Sequence, residues 1–143
     1  MAGDGSEKSY LEAQCAMLGI AQRVEFIGWV GGSSLIREYD RCHIVVQSSF
    51  DEGFSTVLIE AMARGKPVIA TNILGTRDIV QDGANGLLVE PGNEQAMADA
   101  IRMLARNKLL YTAISQSGLE SSEKYSWTAT VESILDVYRS ILK

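Results

Sequence analysis

The amino-acid sequence predicts an α/β domain in which a parallel sheet is covered by helices on both faces. Short apolar segments alternate with helical patterns along the chain, and this order is typical of parallel sheets with helical crossovers. The unbroken run Ile44-Val45-Val46 indicates a strand that is buried on both faces. Since 46% of the 143 residues are hydrophobic, residues 1–143 are expected to form one domain with a single core.

The individual elements follow from periodicity and from the residues that end them. In the first half we expect a helix over 6–19, a short strand within 23–30 followed by a glycine-rich loop over 28–34, a helix over 33–42 and a strand over 43–49. In the second half we expect strands within 66–72 and 84–93, a short helix within 74–83, and helices over 93–107, 108–125 and 126–143. Ser6 or Ser9 is the predicted cap of the first helix, Gly19 its end, and Asn93 the cap of a later one.

Composition excludes several classes of function. The net charge of −5 argues against a nucleic-acid-binding protein, which needs a basic surface. The sequence has neither an apolar run long enough for a transmembrane helix nor an apolar signal region at its start, so we expect a cytoplasmic protein. Cys15 and Cys42 lack metal-ligand spacing, and we interpret them as small buried thiols in a reducing compartment.

The segment 48–72, SSFDEGFSTVLIEAMARGKPVIATN, predicts an anion-binding helix end. The helix should run from Thr56 to Arg64 and end at Gly65, with Ser55 as its N-cap. Because the first turn contains no acid to satisfy its own N–H groups, an external phosphate fits there, and Gly53 would allow a close approach. Judged on the turn alone, an ordinary strand–turn–helix unit is the better explanation, since short glycine motifs often match by accident.

Two glutamates favour the functional interpretation. Glu60 lies in an apolar helix, where an unpaired carboxylate is costly, so it must face a cleft or a partner such as Arg64. Glu52 lies just before the helix, and both carboxylates can accept hydrogen bonds from vicinal hydroxyls of a sugar. Because Glu52 and Glu60 lie on either side of the predicted anion site, together they predict a nucleotide-sugar site. His43 on the predicted strand is interpreted as structural.

Longer motifs resemble a known family. The segment 52–71, EGFSTVLIEAMARGKPVIAT, is similar to the E-x7-E pattern of the retaining group 1 glycosyltransferases, glycosyltransferase family 4, which have the GT-B fold. Residues 75–101, GTRDIVQDGANGLLVEPGNEQAMADAI, and the closing segment 125–138, YSWTATVESILDVY, also resemble this family. The resemblance covers nearly the whole chain and implies the Rossmann-like, C-terminal donor-binding half of such an enzyme.

The resemblance also implies roles for individual residues. Glu60 matches the glutamate that holds the ribose hydroxyls, and Glu52 matches the catalytic-site glutamate that contacts the donor sugar. The backbone amides of Phe54, Ser55, Thr56 and Val57, next to Gly53, would bind the sugar and the diphosphate, and the loop Gly28-Trp29-Val30 would bind the base. The donor would be UDP- or GDP-linked, and neither a metal nor another cofactor is implied. Ser55 stands where the family usually has glycine. Asp78 stands where the family usually has glutamate, which is a mild change because the acidic group is kept.

A resemblance limited to the donor half implies an N-terminally truncated enzyme. The acceptor, a glycan or a lipid-linked molecule, would be selected by the missing N-terminal domain, and the full enzyme could lie at the inner face of a membrane. The family's diphosphate-binding Arg and Lys have no counterpart, so we expect this hexosyltransferase-type chain to be inactive in isolation. The alternative is a non-catalytic nucleotide or sugar-phosphate binding module, or a domain that assembles with a partner chain. An exposed sheet edge would allow the chain to form a homodimer.

Overall fold

A computed structural model describes residues 1–142, which form two compact units, one over Met1–Asp40 and one that begins at Arg41. The first unit contains α1 (Lys8–Met17), a 3-10 helix (Ala21–Arg23) and most of α2 (Gly32–Arg41). Glu7 is the N-cap residue of α1, so the predicted serine cap is wrong: Ser6 precedes the cap position and Ser9 lies inside the helix. The predicted end is confirmed, because Gly19 follows the helix with φ +67°.

The predicted short strand within 23–30 is wrong. Its residues pair with another segment only at an isolated bridge between Gly28 and Ala2. The backbone N–H of Gly3 donates to the carbonyl of Gly28 over 2.7 Å, and that of Ile27 donates to Met1 over 3.0 Å. A strand requires a continuous ladder, and Gly28, with φ +68°, bends the chain out of the extended conformation.

The second unit is built on a parallel three-stranded sheet. Its strands are β1 (Val45–Gln47), β2 (Val68–Thr71) and β3 (Leu87–Val89), in the order β1-β2-β3. The flanking helices are α3 (Thr56–Ala63), α4 (Leu74–Arg77), α5 (Glu94–Arg106), α6 (Lys108–Ser122) and α7 (Trp127–Ile141), with a 3-10 helix at Glu123–Tyr125. The predicted α/β class and parallel sheet are confirmed.

The core of this unit surrounds the central strand. All four residues of β2 are buried, because strands and helices cover them on every side. One apolar cluster joins Ile69 and Leu87 of the sheet to Leu104 of α5 and Ile114 of α6. Helix α3 buries Leu58, Ala61 and Met62. The loops that follow the three strands lie at the carboxyl edge of this buried sheet.

Three predictions about burial are wrong. Val46 is 42% exposed, because β1 is an edge strand. His43 is exposed and precedes β1, and its backbone carbonyl accepts a hydrogen bond of 2.8 Å from the Tyr111 hydroxyl. Cys15 and Cys42 are half-buried and form no disulfide, and Cys42 directly follows α2.

Other local predictions are confirmed. The side chain of Asn93 caps α5 by accepting a hydrogen bond of 2.9 Å from the amide of Ala96. Helix α3 begins at Thr56 as expected, and Gly65 follows it with φ +63°. Within residues 1–142, none of the helices combines the length and apolar character that crossing a membrane requires.

Candidate donor-binding site

Polar residues follow each strand at the carboxyl edge of the sheet. Glu52 lies in the loop after β1, Asn72 directly follows β2, and Glu90 directly follows β3. The side-chain amide of Asn72 donates to Oε1 of Glu90 over 2.7 Å, and its backbone N–H donates to the Val89 carbonyl over 2.7 Å. Because ligands of parallel α/β folds bind outside the carboxyl ends of the strands, we expect the ligand site at this edge of the sheet.

The carboxylate of Glu52 is held by a side chain that the sequence did not single out. Gln47, the last residue of β1, donates from Nε2 to Oε2 of Glu52 over 2.8 Å. On its other side, the amide oxygen of Gln47 accepts a hydrogen bond from the Ser55 hydroxyl. Gln47 therefore ties together the two ends of the loop that carries Glu52.

The main chain of the same loop is packed against the residues after β2. A Cβ atom added to Gly75 of α4 would lie 2.0 Å from the carbonyl oxygen of Glu52 and 2.9 Å from the carbonyl carbon of Gly53. The hydroxyl of Thr71, at the end of β2, donates to the carbonyl of Ser49 over 2.5 Å. The loop after β1 is thus fixed at two points by the segment after β2.

Thr76 holds that second segment in place. Its side chain is fully buried, and its single hydroxyl proton is donated to the backbone carbonyl of Thr71, with the carbonyl of Ile73 as a second acceptor of the same proton at 2.9 Å. The same oxygen accepts from the Ile73 amide over 3.2 Å. Through these contacts Thr76 fixes Gly75, and Gly75 supports the backbone of Glu52.

The amino end of α3 opens directly beside this loop. Ser55 occupies the predicted N-cap position and is 2% exposed, but its hydroxyl bonds to Gln47 instead of capping the helix. The first turn, Thr56 to Leu58, consists of uncharged residues. The backbone N–H of Thr56 donates to the Phe54 carbonyl over 3.2 Å. The positive end of the helix dipole is therefore not neutralised by an acid of its own first turn.

Glu60 lies on the exposed face of α3. The helix buries Leu58, Ala61 and Met62, so the apolar neighbours of Glu60 in the sequence point elsewhere. The structure therefore removes the cost of burial that the sequence suggested. Glu60 is an exposed residue one turn after the helix start.

Phe54 adds an aromatic ring beside the loop. It is 49% exposed, and its ring stands edge-on to that of Tyr125, with centroids 5.9 Å apart. The Tyr125 hydroxyl donates to the carbonyl of Asp78 over 2.9 Å. The position of Phe54 is thus set by the 3-10 helix that precedes α7.

The remaining predicted site residues belong to the first unit. Gly28 has φ +68°, Trp29 is 81% exposed and Val30 is half-buried. A Cβ at Gly31 would lie 2.6 Å from the Trp29 ring, so the glycine allows the ring to fold over the loop. The base-binding role of this loop stays a prediction.

Residues 1–142 contain no group of three His, Cys, Asp or Glu side chains placed to hold a metal ion. The residues that sequence reasoning missed are Gln47, Gly75 and Thr76. The sequence did contain a signal for Gln47, because it is a polar residue at the end of an apolar strand. The role of Gly75 depends on its contact with Glu52 and Gly53, which lie in a distant part of the sequence, and the local pattern carries no trace of it. Thr76 bonds within five residues, to Thr71 and Ile73.

Comparison with known proteins places this geometry in context. The sequence model of the family described as glycosyl transferases group 1 matches residues 1–121. A glycosyltransferase of Methanocaldococcus jannaschii, MJ1607, is 33% identical over 140 residues, which cover 97% of this chain and 36% of the relative. The chain therefore spans about a third of the length of that relative.

Solved structures of glycosyltransferases are also similar to this chain. Anabaena Alr3699/HepE in complex with UDP-glucose is 27% identical with a TM-score of 0.86, covering 97% of this chain and 40% of that one. The C-terminal domain of a group 1 glycosyl transferase (LpcC) of Francisella tularensis is 36% identical with a TM-score of 0.76, covering 84% and 63%. These likenesses confirm the predicted fold, that of part of a GT-B glycosyltransferase.

Proposed function

The chain belongs to the family of group 1 glycosyl transferases, and we propose that it is the part of such an enzyme that binds the nucleotide-diphosphate sugar donor. The observation that carries the proposal is Glu52, held by Gln47 beside the amino end of α3, whose first turn contains no acid. A carboxylate that can accept hydrogen bonds from sugar hydroxyls then lies next to a helix end that can bind an anion. The complex of Alr3699/HepE with UDP-glucose supports a nucleotide sugar as the ligand.

In this proposal Glu52 contacts the donor sugar. A carboxylate offers about four acceptor positions, and the bond with Gln47 occupies one of them. The others can accept from hydroxyls of a hexose. Gly75 and Thr71 hold the backbone of the loop, so the carboxylate would meet the sugar without rearrangement of the main chain.

The amino end of α3 would bind the diphosphate. Backbone N–H groups of the segment Gly53 to Val57 supply donors, and the helix dipole favours negative charge at this end. As the sugar is transferred, charge builds on the leaving diphosphate, and preorganised amides stabilise it without reorganising. We propose that the diphosphate is held in this way without a metal ion.

Glu60 would accept hydrogen bonds from the ribose hydroxyls, and the loop Gly28-Trp29-Val30 would bind the base. The accessibility of Glu60 supports the first role. We further propose that the chain is the C-terminal donor domain of a family 4 enzyme that retains the configuration of a hexose. The glycan or lipid-linked acceptor would be selected by another domain of the whole protein.

Titration with UDP-glucose and with GDP-mannose tests the proposal. The parent chain should bind one of them, and Glu60→Ala should weaken that binding about tenfold, since a hydrogen bond to a charged group contributes about 1.5–3 kcal/mol. Glu132→Ala, on the exposed face of α7, is the matched control and should bind like the parent. A parent chain that binds neither sugar nucleotide would overturn the proposal.

Two further parts of the proposal have their own tests. The purified chain should show little or no transferase activity, and turnover at rates typical of enzymes would contradict that. Homodimerisation through β1 is proposed because this edge strand carries the exposed Val46. Sedimentation velocity should then show a dimer that Val46→Lys converts to a monomer, and a monomeric parent would refute it.

A further inference from the structure

The side chain of Gln47 bridges the two residues that flank the proposed sugar site. It is half-buried at the end of β1, with Glu52 on one side and Ser55 on the other. The bond to Glu52 spans 2.8 Å between Nε2 and Oε2. A weaker contact of 3.4 Å joins Nε2 to the Ser49 hydroxyl.

The chemistry of the three groups fixes the direction of every bond. An ionised carboxylate only accepts hydrogen bonds, so the NH2 group of Gln47 must face Glu52. The amide oxygen of Gln47 then faces Ser55, whose hydroxyl has to donate. Ser55 is 2% exposed, so water cannot readily replace it in this role. The chain from Ser55 through Gln47 to Glu52 therefore has one arrangement.

We infer that Gln47 is a positioning residue that holds the Glu52 carboxylate ready for the donor sugar, with Ser55 orienting the Gln47 amide. This inference rests on the proposed function. Without Gln47, the Glu52 side chain would sample several rotamers and lose that freedom only when the sugar binds. Gln47 therefore strengthens the binding of the sugar and leaves the binding of the nucleotide unchanged.

A purely structural role for Gln47 makes a different prediction. If Gln47 only kept the loop folded, its loss would disturb the amino end of α3 as well, because Ser55 is the N-cap residue. Binding of the sugar nucleotide and of the bare nucleoside diphosphate would then fall together. The difference between these two affinities separates positioning from general stabilisation.

The experiment compares the parent chain with Gln47→Met, which keeps the length of the side chain but cannot donate a hydrogen bond. Each protein is titrated with UDP-glucose and with UDP, or with GDP-mannose and GDP where the parent prefers guanine. We expect the sugar-nucleotide Kd to rise about two- to tenfold, the size of the rotamer freedom that one long side chain loses on binding. The Kd of the bare nucleotide should stay within about twofold.

Gln116→Met is the matched control. Gln116 donates from Nε2 to Oε1 of Glu120 over 2.8 Å on the exposed face of α6, so it makes the same type of bond as Gln47. Its substitution should change neither Kd. Saturation-transfer NMR provides a second readout, in which Gln47→Met should weaken the signals of the hexose protons relative to those of the ribose.

The outcomes distinguish the inference from the proposed function. Equal losses for both ligands, or no loss for either, would overturn the positioning role while leaving donor binding intact. A parent chain without affinity for any of the four ligands would overturn the proposed function itself. If Gln47→Met fails to fold, Ser55→Ala takes its place: it should reduce sugar-nucleotide affinity selectively, and a uniform loss would contradict the inference.

Discussion

Gly75 of α4 lies so close to the main chain of Glu52 that a Cβ at position 75 would stand 2.0 Å from the Glu52 carbonyl oxygen. Real Cβ contacts are not this short, so any other residue at position 75 must displace the loop after β1. The two positions are far apart in sequence and lie in segments that follow the neighbouring strands β1 and β2. The contact makes the position of the proposed sugar-binding carboxylate depend on a glycine of α4.

Gly75→Ala should therefore impair both stability and donor binding. The obstacle is backbone, which cannot rotate away, and overpacking of this kind typically costs about 1–3 kcal/mol. Urea denaturation of the two proteins measures the change in the free energy of unfolding. Gly5→Ala is the control, because a Cβ there meets nothing within 4 Å. Equal stability of Gly75→Ala and the parent would show that the loop is not held as described.

Thr76→Val should destabilise the segment that carries Gly75. The valine fills the same volume but leaves the carbonyl of Thr71 without its buried donor, at a cost of about 1–3 kcal/mol. Thermal or chemical unfolding measures this. Thr130→Val removes a similar hydroxyl-to-carbonyl bond of 3.0 Å on the exposed face of α7 and should cost much less. If both variants lose the same free energy of unfolding, burial of the Thr76 hydrogen bonds does not increase their contribution to stability.

The local features of this fold could be predicted from the sequence. The start of α3 at Thr56, its glycine end and the Asn93 cap each depend on residues within one helical turn. The short strands β2 and β3 could be predicted because their apolar runs are bounded by turn residues. The carboxyl edge of the sheet, and with it the region of the site, followed from the parallel order of the strands.

The features that could not be predicted depend on which other segments of the chain a residue pairs or packs with. Residues 23–30 have strand-like composition but obtain only the bridge to Ala2. Val46 has the composition of a central strand but lies at an edge, and a run of apolar residues does not specify its neighbours. Gln47 was assigned to the strand, while its partners Glu52 and Ser55 lie beyond the turn that follows.

Asn93→Ala should lower the free energy of unfolding by about 1 kcal/mol, because the side chain caps α5 through the Ala96 amide. Ser9→Ala provides the comparison, since Ser9 lies inside α1 and Glu7 is the cap residue. Its effect should stay within about 0.5 kcal/mol. Denaturant midpoints of the two variants decide this, and a larger loss from Ser9→Ala would contradict the capping assigned to α1.

Donor binding should not depend on a divalent metal. We expect the amides at the amino end of α3 to neutralise the diphosphate in place of a cation. Calorimetric titration with UDP-glucose or GDP-mannose, before and after dialysis against EDTA, should give the same Kd. Loss of binding after EDTA, with recovery on addition of Mg²⁺ or Mn²⁺, would show that a metal is part of the site.

The most direct test of the central claim is a ¹H–¹⁵N correlation spectrum of the 143-residue chain titrated with UDP-glucose and GDP-mannose. Binding at the amino end of α3 should shift the amide signals of Gly53, Phe54, Ser55, Thr56 and Val57 first and most. Glu52→Gln should reduce those shifts at equal ligand concentration. A spectrum in which these five amides stay fixed, with either ligand at saturation, would contradict the claim that this helix end and Glu52 bind a sugar nucleotide.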